Sequence, residues 1–464
     1  MDYKRQLKRG LGRWLRRRRR RAEPALAHWP QLSVADGQLA LCGQPLQALA
    51  EEHGTPLHVV DFAALQANVQ ALQVPVAAGQ HTEFFCSYKT NPVPAVLQAM
   101  HAAGAGAEVI SHFELWLALK LGVAPERIIY NGPVKSDASL QQAVAQGVAA
   151  INVNSLGELQ RVKGIAQAVG RPANVGLRCS AEGGWTGQFG LDRGNGDFLR
   201  AITQMQQSGH LRPVALHVHR GVSIRDAGTL RAHVRAVLGI WSQLQREQQL
   251  RLPMVDFGGS LACPSVDWHS ARAQRLARSF FVPPPAPDVA ACLTPQEYAS
   301  VVASTAREFC EAAQLALPRL VLEPGRGVTG NTQLLLARVM DRKPNPDQFE
   351  FLILDAGINL AESMRGEYHR IFRCRSPEAQ ASALYRIAGP ICTPGDVLSW
   401  ATALPPCEAS ELLAVMDAGA YFVPFSTSFS YPQPGIVGVH AGGRVQPLRR
   451  AESFEDIVAR DSGY

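Results

Sequence analysis

The chain has 464 residues, 46% hydrophobic and 18% charged, a composition that excludes a largely disordered or collagen-like protein. Its nine cysteines include no CxxC pair, which argues against a disulfide framework or a zinc site and favours a reducing, cytoplasmic location. The net charge of +7 is concentrated at one end, because residues 1–22 carry +10 and leave −3 for the remaining 442 residues. This nearly neutral body is not expected to bind nucleic acid.

The chain begins with a basic segment. Residues 1–30 include an unbroken arginine run and are predicted to form a disordered head, which can attract anionic lipid, RNA or a partner protein. A secretory signal is not expected, because no apolar segment of the required kind follows these charges. No run of apolar residues is long enough to predict a transmembrane segment.

After a strand–helix–strand segment near residues 31–58, short apolar runs alternate with helical segments about eight times between residues 59 and 325. This rhythm predicts an α/β fold with a parallel (β/α)8 barrel, and a doubly wound open sheet is the alternative. The predicted barrel strands are Glu83–Tyr88, Ala107–Ile110, Ile128–Tyr130, Ala150–Val153, Asn174–Cys179, Val214–His219, Met254–Phe257 and Arg319–Glu323.

Residues 260–294 interrupt the rhythm with a proline-rich stretch, which predicts an irregular excursion. A helix is expected to begin at Pro295, because Thr294 and Glu297 have the spacing of a capping box. From residue 326 to 464 the pattern consists of short strands with few long helices, which predicts a C-terminal all-β domain.

Polar residues follow several predicted barrel strands, where a β/α barrel carries its reactive groups. A lysine such as Lys89 can form a Schiff base if apolar walls disfavour its charge, although the local sequence alone favours a solvated lysine at the start of a loop. Gly258 and Gly259 can bring bare backbone N–H groups to a phosphate or can mark only a tight turn. Glu323 can keep the ring nitrogen of a pyridine cofactor protonated or can form a surface ion pair.

Two further residues leave their roles open at this level. His219 can stack on an aromatic cofactor or be a satisfied core histidine. Cys392, in the segment GPICTPGD, can act as an acid near a carbanion or be a small buried hydrophobic residue.

Taken in order, the motifs resemble those of the fold-type III decarboxylases that use pyridoxal 5′-phosphate (PLP), the diaminopimelate and ornithine decarboxylase group. The segment FFCSYKTN (84–91) is similar to the lysine motif YAxKAN of that family. The similarity runs from about residue 43 to 439 and includes GAGAEVISHFEL (104–115), IIYNGPVKSDASL (128–140), INVNSLGEL (151–159), GQFGLD (187–192), HVHRG (217–221), FGGS (257–260), EPGRGV (323–328), GPICTPGD (389–396) and DAGAY (417–421).

The resemblance implies a PLP-binding barrel of the alanine racemase type, with residues 31–58 packing against the C-terminal β domain. It also implies a homodimer with shared active sites, and a reaction through an external aldimine and a quinonoid. Lys89 would bind PLP covalently, His219 would stack on its ring, Glu323 would pair with its ring nitrogen and Cys392 would be the acid. The phosphate would be held by Gly258, Gly259, Ser260, Gly325, Arg326 and Tyr421, and Thr393, Asp396 and Arg365 would contact the substrate.

The sequence departs from the family where the substrate is selected. Thr393 stands where the family has an acidic residue for a distal ammonium, and Glu362 stands where diaminopimelate enzymes have an arginine, with Arg365 near enough to compensate. We therefore expect a substrate other than diaminopimelate, an amino acid or amino-acid conjugate of siderophore or other secondary metabolism. The alternatives are a PLP-dependent racemase or epimerase and a catalytically silent PLP-binding regulatory protein.

Overall fold

The structure, a computed structural model, describes residues 10–16, 22–180, 187–221, 223–345 and 349–463. The chain divides into two compact units. The barrel unit comprises Gln66–Ala262 and Ala291–Val328, and the β unit comprises Met1–Leu65, Cys263–Ala290 and Thr329–Tyr464 as far as they are described. This division differs from the sequence-based one of 59–325 and 326–464, chiefly because the proline-rich segment clusters with the β unit.

The barrel unit contains a closed barrel of eight strands, and each neighbouring pair with a described register is parallel. Closure confirms the predicted β/α barrel and excludes the open-sheet alternative. We number the barrel strands 1 to 8 in chain order: Glu83–Ser87, Gly106–Val109, Ile128–Tyr130, Ala150–Val153, Ala173–Arg178, Leu211–His217, Met254–Asp256 and Arg319–Leu322.

Helices follow the barrel strands with the start signals that the sequence contains. The capping box of Thr294 and Glu297 is present at the start of Pro295–Ala313, as predicted. The other long helices of the unit are Pro94–Ala102, His112–Lys120, Asp137–Gln146, Leu156–Val169, Asp197–Gln206 and Ala227–Glu247. A small hairpin pairs Pro75–Ala77 with Gln80–His81, and one-turn helices are Tyr88–Thr90, Pro125–Arg127 and Arg326–Thr329.

The β unit contains a nine-stranded sheet that includes an early strand of the chain. Leu57–Asp61 is antiparallel to Gln333–Asn345 on one side and parallel to Gly435–Val439 on the other. All five of its residues are buried, so this short strand is a central one in the sheet. The remaining strands are Phe349–Leu354, Ile371–Arg373, Ala383–Ala388, Val397–Leu404, Leu412–Val415 and Val445–Arg449.

Smaller elements complete the β unit. A three-stranded sheet of Leu32–Ala35, Gln38–Leu41 and Gln44–Pro45 leads into the helix Leu46–His53. The segment 260–294 is less irregular than predicted, because it contains the helix Ala271–Phe280, whose N-cap is Ser270. The helix Phe62–Ala71 contains the boundary between the units, and shorter helical turns are Leu26–His28, Gly330–Thr332, Ile358–Ala361, Glu362–Arg365, Phe422–Phe425 and Phe454–Val458.

Part of the basic head is folded, which corrects the prediction of a disordered segment over residues 1–30. Residues 10–16 contain a helical turn, and Arg16 donates to the backbone carbonyl of Phe281 at 3.1 Å. Trp29 is buried at 4% exposure, and its Nε1 donates to Asp417 Oδ1 at 2.9 Å. The hydrophobic effect therefore holds the end of the head against the β unit. Residues 1–9 and 17–21, which include most of the arginine run, lie outside the described residues.

We expect Trp29→Phe to lower the free energy of unfolding by about 1–3 kcal/mol, because the buried carboxylate of Asp417 would lose a hydrogen-bond donor. Urea unfolding followed by circular dichroism measures this change. The matched control is Trp268→Phe, because Trp268 is 66% exposed and its replacement should change the stability by less than about 0.5 kcal/mol. Equal effects of the two variants would contradict a packed Trp29.

All nine cysteines lie in the described ranges and are thiols rather than disulfides. Among the helices in these ranges, none has the length and apolar character needed to cross a membrane.

Candidate active site

The carboxyl ends of the barrel strands bring a dense set of polar side chains together, as the parallel order of a β/α barrel requires. Eight of the predicted site residues belong to this unit: Lys89, His219, Gly258, Gly259, Ser260, Glu323, Gly325 and Arg326. Each follows the end of barrel strand 1, 6, 7 or 8. The other predicted residues, Cys392, Thr393, Asp396, Arg365 and Tyr421, belong to the β unit.

Lys89 forms an ion pair at the end of strand 1. Its Nζ donates to Glu108 Oε2 at 2.7 Å, and the Ser87 hydroxyl donates to the same oxygen at 2.5 Å. Glu108 is 1% exposed, whereas the Lys89 side chain is 39% exposed. Lys89 therefore has an acidic neighbour, which the sequence analysis did not predict. Glu108 is placed to accept a proton when the lysine amine reacts.

Glu323 is a buried acid that stays ionised. Burial raises the pKa of its carboxyl group, but interactions with His217 and Lys89 outweigh that effect and lower the pKa to about 2. His217 Nε2 lies 3.4 Å from Glu323 Oε2. On strand 7, burial and the charge of Glu323 raise the pKa of Asp256 well above its usual value. The pKa values of two neighbouring carboxyl groups are thus shifted in opposite directions.

His219 is held in one orientation and one tautomer. The backbone N–H of Gly259 donates to His219 Nδ1 at 3.1 Å, and the proton of a neutral ring must therefore be on Nε2. Burial, followed by the charge of Lys89, lowers the pKa of His219 to about 3. A neutral imidazole at this position presents a flat face suited to stacking on an aromatic ring.

The turns after strands 7 and 8 contain glycines, and neighbouring atoms of the protein lie close to their Cα atoms. A Cβ on Gly259 would lie 2.5 Å from the Glu323 carbonyl oxygen, and a Cβ on Gly325 would lie 2.7 Å from Thr90 Oγ1. The N–H of Gly258 donates to Asp256 and that of Gly259 donates to His219. These two amides are thus engaged within the protein, which differs from the prediction that both face a phosphate.

Cys392 and Thr393 lie on an exposed turn of the β unit, whereas Asp396 beneath them is 3% exposed. Asp396 accepts from the backbone N–H of Ile358 at 2.8 Å and of Ile391 at 2.7 Å. Both carboxylate oxygens therefore fix the loop, and the substrate contact predicted for Asp396 stays a prediction.

Arg365 and Tyr421 are placed elsewhere in the β unit. Arg365 lies 3.6 Å from Glu362 in a half-exposed ion pair. Tyr421 has a φ of 69°, and its ring stacks on Phe425 with centroids 5.8 Å apart.

The sequence reasoning gave no role to five residues at this end of the barrel: Glu108, Asn131, Arg178, His217 and Asp256. Each is a polar residue at or directly after the carboxyl end of a barrel strand. This position could have identified them as candidate site residues from the sequence. Asn131 Nδ2 donates to Glu108 Oε1 at 3.0 Å and to Glu323 Oε1 at 2.8 Å, and thereby joins the two acids.

The barrel residues fit a bound PLP. Lys89 supplies an amine for the cofactor aldehyde, and ionised Glu323 supplies the anion that a protonated pyridine nitrogen requires. Among the described residues, the buried His217 Nδ1 has no hydrogen-bond partner, as expected of a pocket that receives a polar group. Ser260 Oγ accepts from the N–H of Gly221 at 3.2 Å and retains a hydroxyl hydrogen for a phosphate oxygen.

Comparison with known proteins agrees with this geometry. Residues 63–330, more than half of the chain, match the family model described as pyridoxal-dependent decarboxylase, pyridoxal binding domain. The diaminopimelate decarboxylase of Archaeoglobus fulgidus is 30% identical, over 92% of this chain and 98% of the relative. That of Methanothermobacter thermautotrophicus is 29% identical, over 93% of this chain and 97% of the relative. These names give no support to the prediction that diaminopimelate is not the substrate.

Solved structures show the same fold. The diaminopimelate decarboxylase of M. jannaschii in complex with L-lysine has a TM-score of 0.81 and 24% identity, and the match covers 93% of this chain and 98% of that one. The lysine/ornithine decarboxylase of Vibrio vulnificus in complex with putrescine has a TM-score of 0.66 and 19% identity, covering 85% and 96%. The protein therefore belongs to the family of pyridoxal-dependent amino-acid decarboxylases, with PLP as its cofactor.

Proposed function

We propose that this decarboxylase acts on an amino acid or amino-acid conjugate whose distal end carries no free ammonium group, and not on meso-diaminopimelate. At 30% identity or less, the relatives establish the reaction class, but the residues that contact the distal end of the substrate can differ. The observation that carries the proposal is a pocket beside the Cys392 turn.

The pocket has a volume of about 450 Å³ and lies within the β unit. Most of its wall is apolar, and its single acid, Glu362, is paired with Arg365. Thr393, next to Cys392, adds a hydroxyl group rather than a carboxylate. The lining residues are Ile358, Asn359, Glu362, Ile391, Thr393, Phe425, Thr427 and Phe429. An apolar pocket with a few hydroxyl and amide groups suits an acylated or apolar distal arm better than an ammonium group.

In the reaction, Lys89 would exchange with the substrate amine while Glu108 takes up a proton from that nitrogen. Bound PLP supplies the electron sink for loss of the α-carboxylate as CO2. Glu323 would hold a proton on the pyridine nitrogen, and neutral His219 would support the ring face. Cys392 would then deliver a proton to the α-carbon. We further propose a cytoplasmic homodimer in which Cys392 of one subunit completes the site of the other, as in the family that the sequence resembles.

The proposal is tested by incubating the PLP-loaded enzyme in D2O with L-, D- and meso-amino acids and acylated diamino acids, with product analysis by mass spectrometry. We expect an amine that has lost CO2 and gained one deuterium, formed from a substrate without a free distal ammonium. Efficient turnover of meso-diaminopimelate would overturn the substrate assignment. An intact amino acid with deuterium at the α-carbon would replace decarboxylation with racemisation.

A matched pair of variants sharpens this test. Thr393→Glu restores an acidic residue after the cysteine and should raise kcat/KM for meso-diaminopimelate by about tenfold or more, because a charge-assisted hydrogen bond contributes about 1.5–3 kcal/mol. Thr427→Glu adds a charge elsewhere in the same pocket and serves as the control. Equal effects of both variants would show that position 393 does not face the distal group.

A further inference from the structure

Asn131 lies directly after barrel strand 3, between the two acids of the site. It is 3% exposed, and its single amide nitrogen contacts Glu108 Oε1 at 3.0 Å and Glu323 Oε1 at 2.8 Å. One of these acids pairs with Lys89, and the other is the predicted partner of the pyridine nitrogen. The neutral Asn131 side chain thus connects Glu108, at the lysine end of the cofactor site, with Glu323, at the pyridine-nitrogen end.

Buried residues on the side away from the two acids fix the orientation of the Asn131 amide. Its Oδ1 accepts from Asn152 Nδ2 at 2.8 Å, and Asn152, on strand 4, is fully buried. The ammonium group of Lys135, also fully buried, donates to the backbone carbonyl of Asn152 at 2.9 Å and to Glu158 at 3.0 Å. A flipped amide would place the Asn131 oxygen against two carboxylates, so this network admits one orientation.

Charged and titratable groups face Glu323 from most of the barrel. Lys89, His217 and Arg178 favour its ionised form. A hydrogen bond with Asp256 also lowers the pKa of Glu323, while burial opposes ionisation. His219 is neutral at this end of the barrel. Asn131 is the group here that stabilises both Glu108 and Glu323 without adding charge, because each receives a hydrogen bond from the same amide nitrogen.

We propose that Asn131 is a positioning residue that holds Glu108 and Glu323 aimed and keeps Glu323 ionised, and so couples the lysine end of the cofactor site to the pyridine-nitrogen end. Its donor acts through the two carboxylates. Loss of the donor should therefore make Glu323 easier to protonate. This inference rests on PLP binding and does not depend on which amino acid is the substrate.

The test is the affinity for PLP of wild-type protein and of Asn131→Leu, measured by equilibrium dialysis between about pH 3.5 and pH 8. Leucine has similar volume but no donor. In wild type the pKa of Glu323 is about 2, so this acid is ionised over the whole range. Loss of a hydrogen bond to the charged carboxylate should raise that pKa by about one to two pH units, so the affinity of the variant should fall below about pH 5 while that of wild type is retained. Near pH 8, where Glu323 is ionised in both proteins, the two affinities should converge. The titration of PLP is common to both proteins, so the difference between the profiles reports Glu323.

Asn174→Leu is the matched control, because the Asn174 amide donates to the Val148 carbonyl at the opposite end of strand 5. It should leave the pH profile unchanged. Superimposable profiles for Asn131→Leu and wild type, or an equal loss of affinity at every pH, would overturn the proposal and leave Asn131 a packing residue. If Asn131→Leu does not fold, Asn131→Ser, which is smaller and retains one donor, should show a shift in the same direction, and its absence would also overturn the proposal.

Discussion

Lys89→Ala is expected to abolish covalent attachment of PLP and to lower turnover by about a thousandfold or more, because the side-chain amine is the group that bonds to the cofactor aldehyde. In the structure this amine lies 2.7 Å from Glu108, which is placed to accept its proton. The measurement is the protein mass after borohydride reduction, combined with the rate of CO2 release. Attachment should be lost in the variant, and the reduced wild-type adduct should map to the peptide that contains Lys89.

Lys120→Ala is the matched control for this experiment. Lys120 is exposed at the end of a barrel helix and lies 5.8 Å from the Trp116 ring centroid. This variant should retain attachment and turnover. A reduced adduct on another lysine in wild-type protein, or turnover by Lys89→Ala close to that of wild type, would reject the assignment. A silent regulatory protein would lose no turnover in either variant, since it would have none.

Glu323→Gln is expected to weaken PLP binding and to lower kcat/KM by about 10²–10³-fold, because it removes a preorganised charge in a buried site. The pKa of about 2 means that wild-type Glu323 is ionised throughout the working pH range. Glutamine retains the volume and one acceptor oxygen but cannot hold a proton on the pyridine nitrogen as a carboxylate does. PLP affinity by dialysis and steady-state kinetics measure the two effects.

Stability separates a functional loss from a structural one in this variant. Glu323 is 5% exposed, and its lowered pKa means that the folded protein stabilises its charged form, so the variant leaves His217 and Lys89 without their anionic partner. The thermal midpoint of the PLP-free Glu323→Gln protein should therefore lie below that of wild type, and PLP affinity is compared at a temperature where both proteins are folded. Glu311→Gln, at an exposed helix position, is the control and should change neither stability nor activity. Unchanged PLP affinity in Glu323→Gln would contradict the pairing.

The local sequence was sufficient to predict the alternation of strands and helices, because most of the barrel strands are short apolar runs and several of the helices that follow carry their own start signals. Pro295–Ala313 begins at the predicted residue, since Thr294 and Glu297 satisfy each other within four residues of chain. Lys89 and Glu323 could also be placed at the active end from local sequence, because Lys89 directly follows a predicted strand and Glu323 is the last residue of another. The order of the described end of the head could not be predicted locally, since the burial of Trp29 depends on Asp417, 388 residues further along the chain.

By itself, the sequence determined the alternation of strands and helices and the family motifs, and it supplied a prediction of the residues that would hold PLP. Only the tertiary structure decided that the barrel closes, that Leu57–Asp61 is a central strand of the β unit, and that Asn131 contacts both acids. The physical reason is range: helix caps and strand periodicity depend on neighbours within a few residues. Glu108 and Glu323, by contrast, are 215 positions apart and share one amide only because strands 2, 3 and 8 end at the same rim.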